Sequence, residues 1–89
     1  MGRISCFSIE GIQCWFNSQE IGHQAHFHAK RAGKWEFRVY FQKPKTEMLK
    51  VKWLRERISR QDRKILCDKA MTFRPELLKE WEEKVKYDD

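Results

Sequence analysis

Proline and glycine are scarce in this chain, two and four residues among 89, and no stretch is of low complexity. With four Trp, six Phe and two Tyr beside that scarcity, the chain is neither disordered nor collagen-like, and one compact core is expected. Long apolar runs are also missing. None approaches the roughly 18 residues of a membrane-spanning helix, so no membrane role is expected. Cysteine is sparse and odd in number: Cys6, Cys14 and Cys67. An odd set without a signal sequence argues against a disulfide framework and for a reducing compartment, so a cytoplasmic location is expected. An N-myristoylation pattern needs Ser or Thr at the sixth position, where Cys6 stands.

Charge is plentiful and unevenly placed. The net charge is +6, and residues 43–64 alone carry nine Lys or Arg against three acids. Residues 1–30 are neutral and residues 75–89 carry three Lys against six acids. A basic middle beside an acidic end suits a polyanion, an acidic partner protein, or the tail folding back on its own basic surface.

A length of 89 residues predicts one domain, 1–89, and the hydrophobic period divides it into a β half (1–54) and a helical half (58–87). In the first half Ile12, Cys14 and Phe16 alternate with Gln13, Trp15 and Asn17. Ala25, Phe27 and Ala29 alternate with His26, His28 and Lys30. Trp35, Phe37, Val39 and Phe41 alternate with Glu36, Arg38 and Tyr40 across the hairpin turn Arg31-Ala32-Gly33-Lys34. Leu49, Val51 and Trp53 alternate with Met48, Lys50 and Lys52, and a further short strand is expected at Ile4–Phe7. In the second half Ser59-Arg60-Gln61-Asp62 resembles a capping box before a helix with Ile58, Asp62, Ile65, Leu66, Ala70 and Phe73 on one broad face. Pro75 suits the first turn of a second helix, whose apolar stripe is Leu77, Leu78, Trp81 and Val85. The predicted fold is α+β: an antiparallel meander of three to five strands with two C-terminal helices packed on one face.

In that arrangement the covered face holds Ile12, Cys14, Phe16, Phe27, Ala29, Trp35, Phe37, Val39, Leu49, Val51 and Trp53. The open face collects Trp15, His26, His28, Lys30, Glu36, Arg38, Tyr40, Lys50 and Lys52. His26 and His28 stand two residues apart on one strand, so their rings share a face. Two imidazoles so placed suit general acid–base chemistry, with Arg38 and Tyr40 beside them. Cleavage of RNA through its own 2′-hydroxyl is one such reaction, the cations stabilising the transition state. They also suit a metal site if a third ligand such as His23 reaches them; no cofactor is otherwise expected, zinc or another transition ion being the alternative. Trp15, Lys30, Lys50, Lys52, Arg55 and Arg57 fit a binding face for RNA or a partner protein, aromatic planes edged by cations. The plainer reading competes with each of these. Two histidines on a strand are often only hydrogen-bonding surface residues, a basic run is often a solvated face, and Trp35, Trp53, Trp81 and Phe73 fit a core.

Three segments carry a family resemblance. Gly11-Ile12-Gln13-Cys14-Trp15-Phe16, the His23–Lys30 stretch with its His26-Phe27-His28 motif, and Glu76-Leu77-Leu78-Lys79-Glu80-Trp81-Glu82 resemble a divergent member of the bacterial domain of unknown function 4160 family. Gln24-Ala25 stand in place of that family's Pro-Pro, and the His23–His26 spacing is one residue shorter. The resemblance implies no established activity. Its members are similar in size and setting to toxin–antitoxin pairs, which implies a small interaction or regulatory protein with a partner protein or RNA. The alternative function is a His-dependent ribonuclease or metal-dependent hydrolase using His26 and His28.

Overall fold

The computed structural model describes residues 2–17 and 24–84. Five strands, β1 (Gly2–Arg3), β2 (Gln13–Phe16), β3 (Phe27–Arg31), β4 (Trp35–Val39) and β5 (Leu49–Leu54), are followed by helices α1 (Arg60–Thr72) and α2 (Arg74–Lys84). The strands form one antiparallel sheet in chain order, β1-β2-β3-β4-β5, so the fold is the expected α+β meander with two C-terminal helices.

The register follows the expected alternation in β2, β3 and β4, while the first strand is Gly2–Arg3 rather than the expected Ile4–Phe7. Cys14, Ala29, Phe37 and Val51 form one row across the sheet, and Phe27, Val39 and Leu49 another on the same side. On that side Phe7 bridges sheet and helix, its ring 5.8 Å from Phe27 and 5.5 Å from Phe73. Phe16 meets Trp81 of α2 edge-on at 5.9 Å. Leu66 and Ala70 of α1 and Leu77 of α2 complete a single buried cluster with Phe16, Phe27, Trp35 and Val39. Val85, expected in the same stripe, lies outside the described residues.

Trp53 departs from the expected phase. A β-bulge sits opposite Glu36 and Phe37, where Phe37 pairs with Val51 but Glu36 pairs with Trp53. Lys52 is the extra residue, and it turns Trp53 onto the open face, where the indole Nε1 donates to Glu36 Oε1 at 3.2 Å. Leu54 takes the position opposite Trp35 instead. Periodicity cannot register a single inserted residue, because the pattern on each side of it remains regular.

Polar ties among the described residues fix the hairpin and fasten the layers. The β3–β4 turn closes through the Lys34 N–H donating to the Arg31 carbonyl, with Gly33 at φ 76°, the left-handed conformation that a side chain strains. Arg31 then leaves β3 on the helix side and donates two bonds, each 2.9 Å, to the carboxylate of Asp62 in α1. Its guanidinium lies where a Cβ on Gly11 would stand, 2.6 Å away, so Gly11 admits the ion pair by having no side chain. Ser59 caps α1 as expected, its hydroxyl accepting from the Asp62 N–H at 3.0 Å, but the Asp62 carboxylate goes to Arg31 rather than back to the cap.

Glu80 of α2 makes a further tie. Its two carboxylate oxygens accept the N–H groups of Ser5 and Cys6, each at 2.9 Å, and Lys84 donates at 3.0 Å. Burial pushes the Glu80 carboxyl up, but the Ser5 amide, Lys84 and Cys6 outweigh it and hold the group below its ordinary range. A depressed carboxyl stabilises the fold above the unfolded-state range and loses that effect as pH falls through it. Glu80→Gln is expected to cost about 2 kcal/mol at neutral pH, as for charged hydrogen bonds lost in a buried setting. Thermal unfolding against pH should show the wild-type advantage shrinking as pH drops below about 4. An advantage that persists at low pH would mean that the carboxylate charge is not what holds the N-terminal segment.

Candidate functional site

The open face carries the residues that the alternation predicts for it. Trp15, His28, Arg38 and Lys50 form one row across four strands, and Gln13, Lys30, Glu36 and Trp53 the next. His26, one residue before β3, stands beside Tyr40 at 5.0 Å and His28 at 5.1 Å. The phase of β3 is therefore as expected.

Exposure is not. His26 and His28 are 0 % and 1 % exposed, so the pair is interior rather than a surface. The physical reason is coverage by large neighbours. Trp15 stacks on His28 with ring centroids 5.3 Å apart and planes 18° from parallel. Tyr40 leans on His26, and Trp81 reaches it from α2 at 5.5 Å. Aromatic residues assigned to the open face by alternation have closed over the imidazoles.

The hydrogen bonds define what His28 is. The indole N–H of Trp15 can only donate, so Asn17 presents Oδ1 to it at 3.0 Å and turns its amide nitrogen to His28 Nε2 at 3.1 Å. Nε2 then accepts, which assigns the proton of the neutral ring to Nδ1, 3.8 Å from Glu36 Oε2. Glu36 is itself buried and receives Trp53 Nε1 and, at 3.4 Å, the Lys52 ammonium. His26 donates from Nδ1 to the Gln24 carbonyl at 2.7 Å. A chain of contacts thus runs Trp15–Asn17–His28–Glu36 and ends on Lys52 and Trp53 at the sheet edge. Asn17 was legible as a member, since it shares the strand face of Trp15 two residues before it. Its role in orienting His28 was not.

The remaining predicted residues separate. Lys30 lies in register beside Glu36, and Lys50 continues the His28 row. Arg38 is half-buried, and its Nε has no hydrogen-bond partner among the described residues. Arg55 bonds through its backbone to the Lys34 carbonyl at the β3–β4 turn, and exposed Arg57 follows before α1. The cations and rings expected to form one binding face are distributed over its centre, one edge and one end. His23 lies outside the described residues. Among those described, no group of three or more His, Cys, Asp and Glu is placed to hold a metal ion.

The cysteines are poor nucleophiles. Burial pushes the Cys14 thiol up to about 12, and burial with the Glu80 carboxylate beside it does the same to Cys6. Burial also raises Cys67. Thiol alkylation at about pH 8 is expected to be slow for all three and to become fast only on unfolding, read by mass spectrometry with and without denaturant.

Comparison with family models, curated proteins and solved structures found no match. The family resemblance therefore rests on the three quoted segments alone.

With the imidazoles interior, His28→Ala and His26→Ala are expected to destabilise the protein by about 2–4 kcal/mol each, as cavity-forming truncations of buried rings do. For a domain of this size each kcal/mol lowers Tm by about 4–8 °C. Unchanged melting temperatures in both variants would return the rings to the surface and reopen a catalytic role.

Proposed function

We propose that this protein is a small regulatory interaction module of the toxin–antitoxin type, which holds an extended, acidic segment of a partner protein as a sixth strand along β5. One observation carries the reading. β5 is the last strand of the sheet, six residues long, and it leaves Val51, Trp53 and Leu54 exposed at 48 %, 38 % and 54 %. A long edge strand with bare apolar side chains and free backbone groups is a template for strand addition.

The chemistry of the edge indicates the partner. Lys50, Lys52 and Arg55 punctuate the apolar positions, and Arg57 follows. Val51 lies on the helix-covered face and Trp53 on the other, so an added strand would be gripped on both sides. Covering the three apolar side chains contributes about 1 kcal/mol each, since each is already about half covered. Acidic side chains on the incoming strand would meet the cations directly. A second copy of this chain fits less well, because pairing β5 with itself sets Lys and Arg against Lys and Arg, and like charges across a strand pair are unfavourable.

Size, basic charge and the segments resembling the toxin–antitoxin-like family support the regulatory setting. Three cysteines kept as free thiols suit the cytoplasm. No described helix is long and apolar enough to cross a membrane. Catalysis by His26 and His28 is the less favoured reading, because a substrate would have to reach rings that are fully enclosed.

The test uses a synthetic peptide of about ten residues alternating Val or Ile with Glu, long enough to pair with β5. Titration should change Trp53 fluorescence and slow amide exchange along β5, with Val51→Lys and Leu54→Lys weakening binding about tenfold or more. Binding unaffected by either substitution, or protection that appears at β1 rather than β5, would reject the edge as the docking site.

A further inference from the structure

A second surface lies away from β5, where the β4–β5 connection faces α1. Lys45 and Thr46 of the connection and Arg60, Arg63, Lys64 and Cys67 of α1 enclose a cleft of about 400 Å³. Residues 60, 63, 64 and 67 are spaced i, i+3, i+4 and i+7, so one helical face forms the whole of one wall. Neither wall carries an aromatic side chain. Four cations converge on a space of this size, which in water is unfavourable unless an anion answers them.

An internal anion answers two of the four. Asp68 accepts Lys45 Nζ on Oδ1 at 3.0 Å and Lys64 Nζ on Oδ2 at 2.7 Å, one ammonium from each wall. These two bonds hold its carboxyl below the ordinary aspartate range. The carboxylate thus bridges the walls as two oxygens of a bound oxyanion would. Arg60 and Arg63 make no ion pair among the described residues, and both are exposed. Guanidinium groups are suited to paired oxygens of phosphate through their planar donor fork.

We infer that this cleft binds the phosphodiester backbone of a nucleic acid, with Arg60 and Arg63 as the phosphate-holding residues and Asp68 as an internal competitor for Lys45 and Lys64. The basic run favours a polymer over one phosphate group. Lys43 precedes the cleft and Arg57 stands just ahead of α1, so cations continue past both of its ends in the chain. Thr46 adds a hydroxyl that donates to a phosphate oxygen. With no aromatic wall the contact is to backbone, so it is salt-sensitive and tolerant of sequence.

The experiment is fluorescence anisotropy with a mixed-sequence RNA of about 12 nucleotides, a usual span for single-strand binding domains. It is run on the full chain over a series of salt concentrations. Wild type should bind with an affinity that falls linearly on a double-logarithmic salt plot. The Arg60→Gln/Arg63→Gln double variant should bind about tenfold or more weakly and lose about 1.4 from the slope, two backbone contacts at 0.7 each. Asp68→Asn should bind more tightly than wild type, because Lys45 and Lys64 are released to the ligand. Lys34→Gln/Lys79→Gln, at exposed positions that do not line the cleft, should bind as wild type does. All four side chains replaced by Gln are solvent-facing, and circular dichroism confirms that each variant is folded. The inference is overturned if wild type fails to bind at low salt, or if the arginine double variant keeps both affinity and slope. It is also overturned if Asp68→Asn weakens binding, or if poly-glutamate competes as well as RNA at equal charge, which would mark the cleft as a site for acidic polypeptide.

Discussion

β3 must be covered on both of its faces, and there is only one helical layer to do it. Phe27, His28 and Ala29 follow one another in the chain and all three are buried, so successive side chains pointing to opposite sides are both excluded from water. α1 and α2 cover the side that holds Phe27 and Ala29. The other side is closed by the sheet's own large side chains, Trp15 and Tyr40, with Trp81 reaching around from α2. Polar groups enclosed in this way call for hydrogen bonds, and Asn17 supplies one to His28 Nε2 while the Trp53 indole supplies one to Glu36. The two imidazoles are thereby part of the interior scaffold.

Closing the centre of the sheet moves recognition to its periphery. Past Leu49, which packs on the core, β5 leaves Val51 and Leu54 bare on the covered side, and the bulge at Lys52 exposes Trp53 on the other. Four acidic side chains are meanwhile engaged by groups of the chain itself. Glu36 faces His28, Lys52 and Trp53; Asp62 holds Arg31; Asp68 holds Lys45 and Lys64; and Glu80 holds backbone amides and Lys84. Within residues 43–64, exposed Lys50, Arg55, Arg57, Arg60 and Arg63 make no ion pair among the described residues and face outward, on β5, ahead of α1 and along it. A small basic protein built this way has two separable surfaces, an apolar edge flanked by cations and a cationic cleft.

β2 to β5, their phase up to the bulge at Lys52, and the two helices are readable from periodicity, because burial on one side of a strand or helix imposes a repeat of two or about 3.6 on apolar residues. The hairpin turn was legible from Gly33, and the start of α1 from Ser59. Periodicity also ranked His26 and His28 correctly as opposite in direction to Phe27. What it could not state is whether that opposite side is wet. A repeat of two distinguishes two faces and does not reveal what lies over each, and the residues that close over the histidines come from strands 11 to 14 positions away and from α2.

Pattern local to the chain sets the β-then-α order, the strand phases outside the bulge, the cap and the concentration of cations in residues 43–64. Tertiary structure alone decided that the histidines are interior, that Trp53 changes face, that Asp62 serves Arg31, and that Glu80 holds the N-terminal segment. The physical reason is range. Alternation, capping and local charge depend on neighbours within one or two turns of chain, whereas burial and ion pairing depend on side chains brought together from distant positions by packing.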